Sequence, residues 1–249
     1  MALSYRRKLI IVLLVFYWPA LFILTHIPIW SLVRKAGVSD KSLHFLAYLI
    51  LVFLLWFAIS PDKKVNWRRA TVWWILFVVV WYGAADELLQ SYAVGRSSDI
   101  MDFAANLVGT LTGLILFSFF TFWPACLLVT ATTIFGLTNL ARANPADLLP
   151  VTNTAFHFFA YGFFTILWIQ YMHFFLSLKA PKPKWLIVAL TLPMGFLLAV
   201  KLSSVVLGKN FAVRDVIIAV VGIAAVVVTI YVIALFHQHF TQKLSPGNG

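Results

Sequence analysis

Along the chain, apolar residues gather into long runs that short polar breaks interrupt. Eight runs have the length of a bilayer crossing, at about 8–30, 42–60, 70–91, 99–122, 124–141, 154–178, 184–206 and 212–236. Each approaches or exceeds the ~20 residues that a ~30 Å hydrocarbon core demands of a helix. The breaks fall at SPDKK, Trp123-Pro124, ARANPAD and APKPK, where proline and charge end helices. The pattern predicts an all-α, polytopic membrane protein with eight transmembrane helices and no loop large enough for a soluble domain.

Composition agrees: 62% of the residues are hydrophobic, more than a soluble core of 249 residues needs. The formal charge of +11 raises the question of a polyanion. The basic residues sit in short loops between apolar runs, so topology accounts for them and no nucleic-acid partner is expected. With the N-terminus inside, 11 of the 19 Lys and Arg residues are cytoplasmic, and the dense Lys63–Arg69 loop argues against the reverse. Both termini are therefore expected in the cytoplasm of a multi-pass membrane protein. The apolar N-terminal run continues to Trp30 with no small-residue cleavage site after it, and reads as a retained first helix. A lone Cys126 makes no intramolecular disulfide.

The polar positions that break the apolar pattern are concentrated. ELLQSYAVGRSSDIMDFAAN, residues 87–106, places Glu87, Gln90, Arg96, Asp99, Asp102 and Asn106 at the ends of two membrane helices. In the expected orientation, seven of the eight acidic residues lie at outer helix ends. At ~1.5 Å per residue, Glu87 lies ~26 Å along a helix that enters from inside near Ala70. His44 and Asp102 are one turn into their helices from outside, and Asn106 two. Asp40, His44 and Tyr48 share one helical face; Asp99, Asp102 and Asn106 form a second stripe, and Glu87 with Gln90 a third. The three stripes are expected to face an outer-leaflet hollow.

A shift of 113 residues lays the chain on itself without a gap. His44, Tyr48, Arg96, Asp102 and Gly109 fall on His157, Tyr161, Lys209, Asp215 and Gly222. Four helices per copy give both copies one orientation, a parallel repeat with an axis near the membrane normal. The expected division is 1–122 and 123–249. Glu87, Gln90, Asp99 and Asn106 become Val200, Ser203, Ala212 and Ala219, so the second copy is degenerate and the first is the active one.

DKSLHFLAY followed by ELLQSYAVGRSSDIMDFAANLVGTLTG resembles the VanZ-like family, named after the teicoplanin-resistance protein. The family pattern is met by Asp40, Lys41, His44 and Phe45, by Glu87 and Gln90, and by Arg96, Asp99, Asp102, Asn106 and Gly109. The likeness is close over residues 25–117 and weak in the second half, where Asn153 and Thr154 replace Asp-Lys. The resemblance implies an integral protein of the bacterial inner membrane linked to glycopeptide resistance or cell-envelope glycans.

Two explanations compete for each polar residue. Intramembrane polar groups often pin helices together, and His44, Tyr48 and Asp102, whose types recur in the second copy, suit that role as well as a functional one. Glu87 and Gln90 do not recur and point to ligand or chemistry. Arg96 suits a carboxylate partner, an interface anchor or an anionic ligand. Gly109 and Gly113 form a GxxxG for close helix packing. The pattern fits best a binding module whose residues Asp40, Lys41, Tyr48, Gln90, Arg96, Asp99, Asp102 and Asn106 hold the head group of a membrane lipid or lipid-linked envelope precursor. A membrane-embedded hydrolase or transferase, with Glu87 and His44 as acid and base, is the alternative. A transporter fits less well, because the polar residues occupy one leaflet. No cofactor is expected. Nor is a metal between His44, Glu87 and Asp102, since no close-spaced pair such as H-E-x-x-H supports one. Oligomeric state is left open.

Overall fold

The structure, a computed structural model, describes residues 4–26, 39–93, 98–139, 150–209 and 212–244. Those residues form eight long helices and no strand: α1 Tyr5–His26, α2 Asp40–Ile59, α3 Ala70–Gln90, α4 Ile100–Phe119, α5 Phe122–Asn139, α6 Pro150–Tyr171, α7 Pro183–Val206 and α8 Val213–Leu244. The α6 helix continues through a π-turn, Met172–Leu176. All eight are long and apolar enough to cross a membrane. The protein is a multi-pass membrane protein, as the apolar pattern predicts. One boundary differs: the break before α5 falls at Phe120 and Thr121, not at Trp123-Pro124. Pro124 lies in the first helical turn, where its missing N–H removes no helical hydrogen bond.

The chain packs as two compact units, Met1–Ala143 and Asn144–Gly249. The helix α5 thus packs with the first four helices, against α2 and α4, and Phe122 and Ala125 join their core. The packing division comes later than the 122/123 division suggested by the sequence offset.

In the first unit α2 is central, with an unbroken run of buried residues from Leu51 to Ala58. Two glycines of α4 let it lie directly on α2. A Cβ at Gly109 would sit 2.3 Å from the Phe45 carbonyl oxygen, and one at Gly113 would sit 2.4 Å from Val52 Cγ1. Gly109 is therefore a contact with the α2 backbone, and Gly113 makes room for the Val52 side chain, as only residues without a side chain permit. The α1 helix is held by Tyr17 Oη donating to Ala47 O at 2.9 Å and by Arg7 Nε donating to Ala58 O at 2.8 Å. The loop after α2 is fixed by Trp56 Nε1 donating to Lys63 O and by Val65 N donating to Phe117 O.

The second unit is built from α6, α7 and α8. Its α6–α8 pair uses the same device: a Cβ at Gly222 would sit 2.4 Å from the Phe158 carbonyl oxygen. Tyr161, Trp185, Ile223 and Val227 are among the residues that fill the space between these helices.

Candidate functional site

Three helix ends bring the polar residues of the first unit together. The α2 helix starts at Asp40, with Ser39 in extended conformation before it. A carboxylate in the first turn suits the positive end of the helix dipole, and His44 lies one turn further in. The α4 helix is capped by Asp99, whose Oδ1 accepts from Met101 N at 2.8 Å. Asp102 and Asn106 follow one and two turns later. The α3 helix contributes Glu87 and Gln90 from its last turn. Because Gly109 admits the Phe45 backbone, α2 and α4 are close enough for His44 to reach Asn106 and Asp102.

His44 is the hub, and it is buried. Its Nδ1 lies 2.9 Å from Asn106 Oδ1 and 3.7 Å from Glu87 Oε1. With a carbonyl-type acceptor at 2.9 Å, Nδ1 carries the hydrogen and donates it. The Nε2 side faces Asp40 Oδ1 at 3.9 Å and Asp102 Oδ2 at 4.0 Å. Lys41 closes the rim, donating to Asp99 Oδ2 at 2.7 Å and to Asp102 Oδ1 at 3.3 Å. This ammonium, with the Met101 N–H, holds the Asp99 carboxyl below the usual carboxylate range.

The structure thus joins Asp40, Lys41, His44, Glu87, Asp99, Asp102 and Asn106 in one cluster. Asp99, a residue confined to the first half, is taken up by architecture as helix cap and lysine partner. Arg96 lies outside the described residues. Gln90 is also buried, and its amide donates to Asp86 Oδ2 at 3.0 Å. Asp86 belongs to the site although its position alone did not single it out. It is fully buried, and its Oδ1 accepts from Thr25 Oγ1 at 3.0 Å. Its four-residue spacing from Gln90, and the Thr25 that recurs as Thr138, were the signals available in the sequence. His26 stands 3.7 Å from the same carboxylate oxygen.

Three buried polar atoms around His44 have no hydrogen-bond partner: Tyr48 Oη, Glu87 Oε1 and Asn106 Nδ2. Gly83, one turn before Glu87, lies beside two of them. A Cβ there would be 3.3 Å from Tyr48 Oη and 3.6 Å from Asn106 Nδ2. The glycine lets the α3 backbone lie against an unsatisfied hydroxyl and an unsatisfied amide, where a methyl would crowd the Tyr48 ring and hydroxyl. Glu87 itself is only 4% exposed, so the cluster is enclosed by helices, with Asp40, Lys41 and Asp99 at its half-exposed edge.

Residues 5–121 match the VanZ/LLP1 family model. That segment holds every residue of the cluster just described. A 79-residue stretch is also 32% identical to an uncharacterised protein of Schizosaccharomyces pombe, covering 32% of this chain and 46% of that one. The chain therefore spans less than half of that relative. No solved structure matches.

Beyond the VanZ/LLP1 segment, the second unit carries its own buried polar group. His157 Nδ1 lies 2.9 Å from Asn153 O, inside its own helix, instead of reaching across to α8. Asn153 Nδ2 donates to Asp215 Oδ1 at 2.7 Å. Lys201 Nζ lies 3.4 Å from both His157 Nε2 and Asp215 Oδ2. The space beside Tyr161 is also different: Phe196, which stands 113 residues after Gly83, has its ring 6.0 Å from the tyrosine ring. The second unit thus has a ring where the VanZ/LLP1 segment has a glycine, and its Asp215 pairs with a buried lysine where Asp102 pairs with the half-exposed Lys41. Lys209 is half-buried beyond the end of α7, and burial lowers its pKa from the usual lysine value.

Proposed function

We propose that the first unit binds the sugar-bearing head group of a membrane glycolipid or lipid-linked envelope precursor. The binding face is the outer leaflet of the bacterial inner membrane, with both termini cytoplasmic. One observation carries the reading: Tyr48 Oη, Glu87 Oε1 and Asn106 Nδ2 are buried around His44 without hydrogen-bond partners. A buried unsatisfied polar group costs ~1–3 kcal/mol, and three together are accounted for if a ligand supplies the missing partners. A carboxylate oxygen, a hydroxyl and an amide N–H match the donors and acceptors of sugar hydroxyls. Among the described residues around His44, carboxylates outnumber the ammonium of Lys41, which disfavours a bare phosphate there. The VanZ/LLP1 match supports a link to glycopeptide (teicoplanin) resistance.

We also propose that the chain is a duplication and that its second copy has lost the partnerless polar atoms contributed by Glu87 and Asn106, which Val200 and Ala219 replace. The 113-residue offset and the shared glycine–phenylalanine contact support this reading. A second reading, acid–base catalysis on the same ligand, draws on Glu87 Oε1 lying 3.7 Å from His44 Nδ1.

The test is native mass spectrometry of the full chain extracted in mild detergent, wild type against Glu87→Gln. The wild type should retain a glycolipid that the variant loses, while the melting temperatures stay close, because glutamine keeps the shape and the acceptor for Asp99 N–H. Equal lipid retention by both would overturn the head-group reading.

A further inference from the structure

The loop between α2 and α3, residues 60–69, lies at the opposite end of α3 from Glu87 and carries Lys63, Lys64, Arg68 and Arg69. All four are exposed. The one carboxylate of the loop, Asp62, is paired with Arg6 of α1. Among the described residues no carboxylate pairs with the four cations. The first turn of α3 supplies none, and the positive end of that helix adds to their field. Arg7 of α1 stands at the same end, its Nε donating to Ala58 O at 2.8 Å, and Lys8 follows it.

These charges are held in a fixed arrangement. Val65 is buried, and its N–H donates to Phe117 O at 2.8 Å. Trp56 Nε1 donates to Lys63 O, and Trp67 Nε1 to Ser118 Oγ, both at 2.9 Å. Asn66 Oδ1 accepts from Arg68 N at 3.0 Å, and Asn66 O accepts from Arg69 N at 2.9 Å. Residues 63–69 line an open cavity of about 600 Å³. The orienting effect of basic loops depends on how many charges they carry, not on how these are arranged. Topology therefore accounts for the sign of this loop and leaves the ordered cavity unexplained.

Depth decides which anion is at hand. The loop joins two membrane-length helices, and the exposed Trp73 and Trp74 follow it directly. Tryptophans at helix ends sit at the level of the lipid head groups. Trp73 is fixed there, its Nε1 donating to Trp67 O at 2.9 Å. We propose that this cavity binds the phosphodiester head group of an anionic phospholipid, in whichever leaflet the loop faces. Clusters of lysine and arginine beside a membrane helix attract such lipids, and the planar forks of Arg68 and Arg69 match phosphate oxygens. The cavity shares no residue with the His44 cluster, so this inference stands or falls apart from the head-group reading.

The test is native mass spectrometry of the full chain in detergent, titrated separately with cardiolipin, phosphatidylglycerol and phosphatidylcholine. The wild type should bind the two anionic lipids more tightly than phosphatidylcholine, and excess inorganic phosphate should not displace them. Arg68→Gln combined with Arg69→Gln should weaken that binding about thirtyfold, since each cation at a charged lipid surface is worth roughly a factor of five. Lys179→Gln combined with Lys182→Gln removes two exposed lysines from the loop before α7 and should leave it unchanged. Asn66→Ala keeps every charge, and with it the orienting signal, but frees the Arg68 N–H and should also weaken binding. Equal affinity for phosphatidylcholine, equal losses in the two double variants, or full binding by Asn66→Ala would each overturn the proposal. Displacement by inorganic phosphate would overturn the lipid as the source of the anion.

Discussion

Gly109→Ala tests whether helix contact and polar site are one device. The added methyl would meet the Phe45 carbonyl oxygen at 2.3 Å, where ordinary contact begins at 3.4 Å. The obstacle is backbone, so α2 and α4 must separate by about 1 Å. Overpacking of this kind costs ~1–3 kcal/mol, and the better helix propensity of alanine returns at most ~1. His44 and Asn106 lie one turn or less from the clash. The same displacement would stretch their 2.9 Å contact beyond 3.5 Å, losing ~0.6 kcal/mol more for an intramembrane hydrogen bond. A net loss of ~1–2.5 kcal/mol is expected, read as a lowered midpoint in thermal or SDS unfolding. Glycolipid retention should fall in the same variant. Gly195→Ala is the control: its Cβ would meet nothing within 4 Å, and on an exposed helix face alanine should be neutral or stabilise by ~0.5–1 kcal/mol. If Gly109→Ala melts at or above Gly195→Ala, the two helices have slack to give, and the packing argument fails.

Asp215→Ala should destabilise more than Asp102→Ala. It strands Lys201, whose side chain is 8% exposed, whereas Lys41 is 49% exposed and keeps Asp99. Breaking a fully buried pair costs ~3–5 kcal/mol, and equal unfolding midpoints for the two variants would refute the distinction. Cysteines at Ser98 and Lys64, in a Cys126→Ala background, should react from opposite faces with an impermeant thiol reagent, Ser98 in intact cells and Lys64 only after permeabilisation. The reverse pattern would put the cluster in the cytoplasmic leaflet. Asp99 has its carboxyl pKa lowered by Lys41, so its contribution to stability is present above the unfolded value of ~3.9 and is lost as pH falls through the lower folded value. Melting curves between about pH 6 and pH 3 should show that acid-limb loss in the wild type and a shallower one in Lys41→Met.

The eight spans were legible in the sequence because a lipid-facing helix must be apolar along its whole length, and proline and charge end it. So were the polar residues, conspicuous against the apolar background, and the GxxxG of α4. The burdens carried by individual polar residues were not. Asp99, read as a ligand or chemistry candidate, is a helix cap and lysine partner, while Asp86, passed over, is fully buried and holds Thr25 and Gln90. A helical stripe tells which residues share a face; it does not tell how far apart two helices stand or which atoms meet. That depends on the distance set by Gly109 against Phe45, and on whether a neighbour is a glycine, as at Gly83, or a ring, as at Phe196. Only the approach of two helix ends brings Asp40 and His44 to Asp102. Composition and period determined that the chain crosses the membrane and where its polar residues fall. The backbone contact between α2 and α4 decided which of them meet, because hydrogen bonds are settled over tenths of an ångström that no pattern of residue types encodes.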